Sequence, residues 1–337
     1  MNQAQDKLFV FALAVLSVGS VLFSSPAPAQ ELKNLRVVFV SLSWNNQLPF
    51  RIAMAKGYFR EQGLTVEPIF VRGGPTAIQA LISGNVEFAS IGGAQAAIRG
   101  KARGLDLSLI SSQSNYTNYT LIGGKENKRL EDLRGKIIGV TGAGSFSDFT
   151  IRLYLKRNNL EPDRDVTLRA IGQTVVRAGA LEKGLIAGAP FSAEDAIRLI
   201  EKGYPIIVNL NEALRVPQSV YVTRGEVLEK YPETSKRYLK ALILGMQLAK
   251  HNKQEALKIG FSAGLKGEPE VINRAYDLFA PGYAADMSVA WDGIQIMLDD
   301  DISTGIVDKK FTLDRVINER ALKQAQQELR SEGRLRP

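Results

Sequence analysis

Apolar residues along this chain gather in short continuous runs. Each run is followed by a polar or glycine-containing turn and then by residues at helical spacing. Leu35 to Val40 is the first run. Its length and β-branched content predict a buried strand. Ser41 to Gln47 is polar and predicts a loop, and Pro49 to Gly57 fits a helix ending near Gly57. Leu64 to Val71, Val86 to Ile91 and Leu107 to Ser112 predict three more strands. Between them, Thr76 is placed to cap a helix over Ala77 to Ser83, and Ala94 to Gly100 predicts another.

The same order restarts after the charged segment Lys125 to Arg129. Lys136 to Val140, Val166 to Ile171, Leu185 to Ala189 and Pro205 to Leu210 read as strands. Helices are expected from the Gly142-Ala143-Gly144-Ser145 turn to Asn158, over Thr174 to Lys183, and over Ser192 to Lys202. Ala80-Leu81-Ile82-Ser83-Gly84 is echoed by Ala180-Leu181-Glu182-Lys183-Gly184, and other landmarks keep that offset. Two similar halves predict two lobes facing each other. Strands alternating with helices predict mainly parallel sheets, with ligands gathering at the edge where the strands end. Ser219 to Thr223 reads as a strand returning to the first lobe. From Glu226 onward the spacing is mainly helical, which predicts a helical extension on lobe one.

The expected fold is therefore α/β, with two lobes, each a mainly parallel sheet flanked by helices. Lobe one takes residues 30–117 and 217–337, and lobe two takes 118–216. Two crossings, near Asn115–Thr120 and Leu214–Val220, would permit hinge closure around a ligand. Residues 1–29 read as a signal peptide. Leu8 to Phe23 is apolar, and Ala27-Pro28-Ala29 fits cleavage after Ala29. Lys7 beside Asp6 makes a weak basic start, so an uncleaved anchor is the alternative. Export to the periplasm is the expectation.

Composition narrows the chemistry. The chain has no cysteine, which removes disulfides and thiolate catalysis. Its single histidine, His251, lies in a polar helical stretch and reads as a surface residue. The net charge of +8 is scattered among acids rather than gathered in a patch, which argues against nucleic acid and leaves small anions as partners. Asp299-Asp300-Asp301 lacks the glycine spacing of a calcium loop and reads as a solvated acidic turn. Gly142-x-Gly144 follows a strand, but Ser147 stands where a dinucleotide fingerprint needs its third glycine. No cofactor or metal is expected.

Three stretches carry a resemblance: Trp44-Asn45, Ala55-Lys56-Gly57-Tyr58-Phe59 with Gly63-Leu64, and Ala80 to Ala89. Together with Leu130 to Val140 they resemble the ABC-transporter periplasmic substrate-binding proteins for sulfonates, nitrate, taurine and thiamine precursors. The resemblance implies a type II periplasmic-binding-protein fold and a monomer that delivers a small ligand to an inner-membrane permease. Ala187 replaces an acid usual in that family, a change read as structural. A sensor domain and a thiamine-pyrimidine-synthase-like enzyme are the alternatives. The synthases' histidine and cysteine motif is missing here.

Candidate ligand contacts follow from the strand ends. In lobe one they are Trp44, for stacking, Asn45, and the backbone at Gly74 and Gly93. In lobe two, Gly144, Ser145 and Phe146 start a helix whose free N–H groups suit an anion, and Phe191 and Ser192 hold the equivalent place further on. Arg72 and Arg177 could balance a carboxylate or sulfonate. Tyr116 and Tyr119 sit at the first crossing and could line the cleft, although that stretch reads as a plain polar linker.

Overall fold

The computed structural model describes residues 31–336, and the expected signal peptide lies outside them. The described residues belong to one compact unit. Its first pass runs β1 (Asn34–Phe39), α1 (Trp44–Ala55), α2 (Tyr58–Glu61), β2 (Thr65–Phe70), α3 (Gly74–Ile82), β3 (Phe88–Gly92), α4 (Gln95–Ala102) and β4 (Ser108–Ser112). The second pass runs β5 (Thr120–Gly123), β6 (Ile137–Val140), α5 (Phe146–Arg157), β7 (Thr167–Ala170), α6 (Thr174–Glu182), β8 (Gly188–Phe191), α7 (Ala193–Glu201), β9 (Ile206–Asn209) and α8 (Leu210–Leu214). β10 (Ser219–Thr223) then precedes α9 (Gly225–Lys230), α10 (Pro232–His251), α11 (Lys253–Ser262), α12 (Pro269–Phe279), α13 (Trp291–Ser303) and α14 (Arg320–Ser331).

Two five-stranded sheets share one plan. Their orders are β2-β1-β3-β10-β4 and β7-β6-β8-β5-β9. Matched position by position, β1 answers to β6, β2 to β7, β3 to β8, β10 to β5 and β4 to β9, so the repeat seen in the sequence is a repeat of topology. In each sheet one strand runs against the rest: β10 lies antiparallel between β3 and β4, and β5 between β8 and β9. Each is the first strand after the chain changes sheet. The fold is thus α/β with two mixed sheets, and the sheets with their flanking helices are called lobe one and lobe two below.

Several sequence expectations are corrected. α1 begins at Trp44, so Trp44 to Gln47 are helical rather than loop. α3 begins at Gly74 behind Gly73, and Thr76 is inside it rather than capping it. β8 starts at Gly188, three residues later than expected. The polar linker at the first crossing ends in β5, whose Leu121 and Ile122 are buried. Asp299 to Asp301 lie in α13, where Asp300 pairs with Lys156 and Asp301 with Arg99.

The helical extension seals lobe one. α10 crosses α1 so closely that a β-carbon at Gly245 would stand 2.3 Å from the Pro49 carbonyl oxygen. Tyr238 of α10 is stacked on Phe88, at 4.1 Å between ring centres, and on Phe59, at 5.7 Å. Such aromatic pairs add about 0.5–1.5 kcal/mol beyond the area they bury.

The two crossings are tied to each other. Thr117 Oγ1 donates to Gln218 Oε1 at 2.5 Å, the Asn118 amide donates to the same oxygen at 3.0 Å, and the Gln218 amide donates to Ser114 Oγ at 3.0 Å. Among the described residues no helix is long and apolar enough to cross a membrane.

Candidate functional site

β1, β2 and β3 end where β6, β7 and β8 end, and the residues just beyond them wall a cleft of about 610 Å³ of atom-free space, part of it open to solvent. Lobe one contributes Ser41, Ser43, Asn46, Gly74 and Ser90; lobe two contributes Thr141, Ser145, Phe146, Gln173, Arg177 and Ser192. Tyr119, Gln218 and Ser219 line it from the crossings. Hydroxyls and amides dominate, and the only charged side chain in this lining is Arg177.

Arg177 is buried completely. Its Nη1 donates to Thr141 Oγ1 at 2.8 Å and to the Gly172 carbonyl at 2.6 Å, and its Nη2 donates to the Pro190 carbonyl at 2.7 Å. Nε is buried without a partner. The guanidinium stands 5.9 Å from the centre of the Phe191 ring. Asp195 acts on it electrostatically but pairs with Arg198 instead, at 3.3 Å. Burial pulls Arg177 below its ordinary value, while Tyr119 and Asp195 push the other way. The group stays charged all the same. A buried cation lacking a paired anion is held at a desolvation cost of several kcal/mol. An anion in the cleft would offset that cost.

Hydroxyls extend the site from this cation. Ser147 Oγ donates to Thr141 Oγ1 at 3.0 Å and accepts the Thr141 amide at 2.8 Å. Ser145 Oγ lies 3.1 Å from Ser147 Oγ and caps α5 by accepting the Asp148 amide at 3.4 Å. With Ser147 donating to Thr141, Ser145 donates to Ser147. Thr141 accepts from both Ser147 and Arg177, so its own proton is the free donor of the chain.

The predicted contacts divide. Gly74, Ser145, Phe146 and Ser192 line the cleft. Trp44 does not: its indole packs on Phe261 at 4.7 Å between ring centres, and its N–H donates to the Lys266 carbonyl at 2.7 Å. Asn45 turns into a polar knot, accepting from Ser43 Oγ at 2.8 Å, and its neighbour Asn46 faces the cleft. Gly93 is covered by the Phe146 ring. Gly144 faces Pro75 and Arg99 in a neighbouring crevice, and its amide donates to Asp148 at 2.9 Å. Asp148 thus already supplies the anion that the start of α5 favours. Phe191 lies buried beneath Arg177. Arg72 is exposed, away from the lining.

Some lining residues escaped the sequence reading. Gln173 follows a strand end and could have been found by that rule. Gln218 and Ser219 could not. Gln218 precedes β10 and Ser219 begins it, and only the reversed direction of that strand brings its starting end to the cleft, where Ser219 pairs with Gly92.

Residues 44–256, more than half of the chain, match the family described as NMT1/THI5 like. The chain belongs to that family. Among its relatives is the taurine-binding periplasmic protein of Escherichia coli, 26% identical over 66% of this chain and 71% of the relative. Another is the yeast 4-amino-5-hydroxymethyl-2-methylpyrimidine phosphate synthase THI13 of Saccharomyces cerevisiae, 27% identical over 58% of this chain and 61% of the relative. The fold matches that of the periplasmic nitrate-binding protein NrtA from Synechocystis PCC 6803, with a TM-score of 0.73, 17% identity and 92% of each chain covered. The fold of that nitrate-binding protein is thus shared by this chain.

Proposed function

We propose that the protein is the exported solute-binding component of an ABC importer, closing its lobes on a small anionic organic molecule and releasing it unchanged to a permease. The observation that carries this reading is Arg177, a fully buried guanidinium in the cleft lining without a paired carboxylate. Charge-assisted hydrogen bonds from Arg177 and Thr141 to an acidic group contribute about 1.5–3 kcal/mol each. The names of the taurine- and nitrate-binding relatives support an anion.

Binding without turnover is supported by the lining itself. It contains no carboxylate, imidazole or thiol, and His251 is exposed at the end of α10. The tied crossings at residues 117/118 and 216/217 are proposed as the hinge, and the working form as a monomer in the periplasm, delivered by the signal over residues 1–29.

The test is a thermal-shift and small-angle-scattering panel of sulfonates, carboxylates, nitrate and pyrimidines, with mass spectrometry of the molecule before and after binding. Stabilisation and compaction by an anion, recovered intact, support the proposal. Silence across the panel, or a chemically altered ligand, overturns it.

A further inference from the structure

A buried carboxylate bridges the cleft. Glu194 stands in the first turn of α7 in lobe two and is 5% exposed. Its Oε1 accepts the backbone N–H of Trp44, the first residue of α1 in lobe one, at 3.0 Å. Its Oε2 is buried and has no partner. This bond exists only while α7 lies against the start of α1, so opening the lobes breaks it and returns the carboxylate to water.

The surroundings disfavour a charge there. An ionised carboxylate with one unpartnered oxygen is far costlier to bury than a neutral acid. On α7 itself, Asp195 opposes ionisation and Arg198 favours it. Tyr119 from the first crossing and Tyr283 from the segment before α13 lie close enough to feel Glu194, which adds to the burial that keeps both phenols neutral. The first turn of α1 carries no acidic side chain, and its amides favour the charged form. From α12, Arg274 pairs with Glu201 at the opposite end of α7. Burial, then Asp195, win this contest and raise Glu194 to about 7.

We propose that Glu194 is a positioning residue for lobe closure, taking up one solvent proton at Oε2 as α7 docks on α1, so that acid favours the closed state. The inference rests on the closing of two lobes proposed above. Its sign follows from linkage. Returned to water, Glu194 would regain the ordinary carboxylate value of 4.5, against about 7 where it is buried here. The closed form therefore holds its full advantage below about pH 4.5, loses it as pH rises towards 7, and is level above that.

The cysteine-free chain suits a distance measurement. Spin labels at Leu42→Cys and Val175→Cys, exposed by 58% and 70%, sit on opposite lobes beside cleft-lining residues. The full chain, with no ligand added, is measured from about pH 5.5 to 8.5. The closed-to-open ratio is expected to fall about sevenfold between about pH 5.5 and 6.5 and to level off above about 7.5. Glu194→Gln keeps an acceptor for the Trp44 amide without the charge, and its distances should stay closed and independent of pH. A flat wild-type profile, or an unchanged slope in Glu194→Gln, overturns the proposal. Because no ligand is used, the latch can fail while an anion from the panel still binds, and the anion can fail while the latch titrates.

Discussion

The ring of Phe146 rests on Gly93, so close that a β-carbon at Gly93 would stand 2.5 Å from Phe146 Cδ2. The two residues belong to different lobes: Phe146 opens α5, and Gly93 follows β3. Gly93 also holds a φ of +64°, which glycine adopts without strain. Gly93→Ala is therefore expected to hinder closure more than folding. Unfolding in urea should show a loss of about 1 kcal/mol from backbone strain. The labelled cleft distances should shift to the open population. An unchanged distance distribution would count against Phe146 and Gly93 as a closing contact.

Arg177 yields the sharpest prediction for binding. Arg177→Met removes the cation and its cleft-side donors, and anion affinity measured by calorimetry should drop by about 10- to 100-fold or more. Arg177→Lys should not restore it. A single ammonium cannot serve Thr141, Gly172 and Pro190 in the geometry of the planar guanidinium. Equal affinity in Arg177→Lys and wild type would show that charge alone suffices.

The pair Arg99–Asp301 joins α4 to α13, with Arg99 Nη2 2.6 Å from Asp301 Oδ1. The Asp301 side chain is wholly buried. Burial pushes its carboxyl up and Arg99 pulls it back. Removing one partner strands the other, so Arg99→Met should lower stability by about 3–5 kcal/mol in chemical denaturation. Arg99→Met combined with Asp301→Asn should recover part of that loss, because no unpaired charge then remains in the interior. Additive losses would mean the two residues act separately.

Tyr238 is buried on every side, and its hydroxyl has no hydrogen-bond partner. Tyr238→Phe keeps both stacked ring contacts and removes an unsatisfied polar group. It should leave stability unchanged or raise it by about 1 kcal/mol, read from the thermal midpoint. A clear loss would place a partner on that hydroxyl in solution.

Much of the frame was legible along the chain. The runs at Leu35–Val40 and Lys136–Val140 named their strands because a strand covered on both faces is apolar along most of its length, and their charged residues, Arg36 and Lys136, fall at or near the starting ends. The twin spacing of Ala80–Gly84 and Ala180–Gly184 announced two halves, and the topology repeats strand for strand. The short β5 was missed because Tyr116 to Thr120 is polar and hides the apolar residues after it. Trp44 was misplaced because a polar stretch reads as loop, whereas Asn45, Asn46 and Gln47 are helical residues whose side chains serve the cleft or bond to each other and to nearby backbone.

The sequence by itself determined the alternation of strands and helices, the duplication, and the lack of thiol chemistry, since these depend on local spacing and composition. Tertiary structure alone decided that Arg177 is buried rather than solvated, that the starts of β5 and β10 face the cleft, and that Glu194 meets the amide of a residue 150 positions away. Burial and strand direction are set by what the rest of the chain packs against, and no local pattern encodes them.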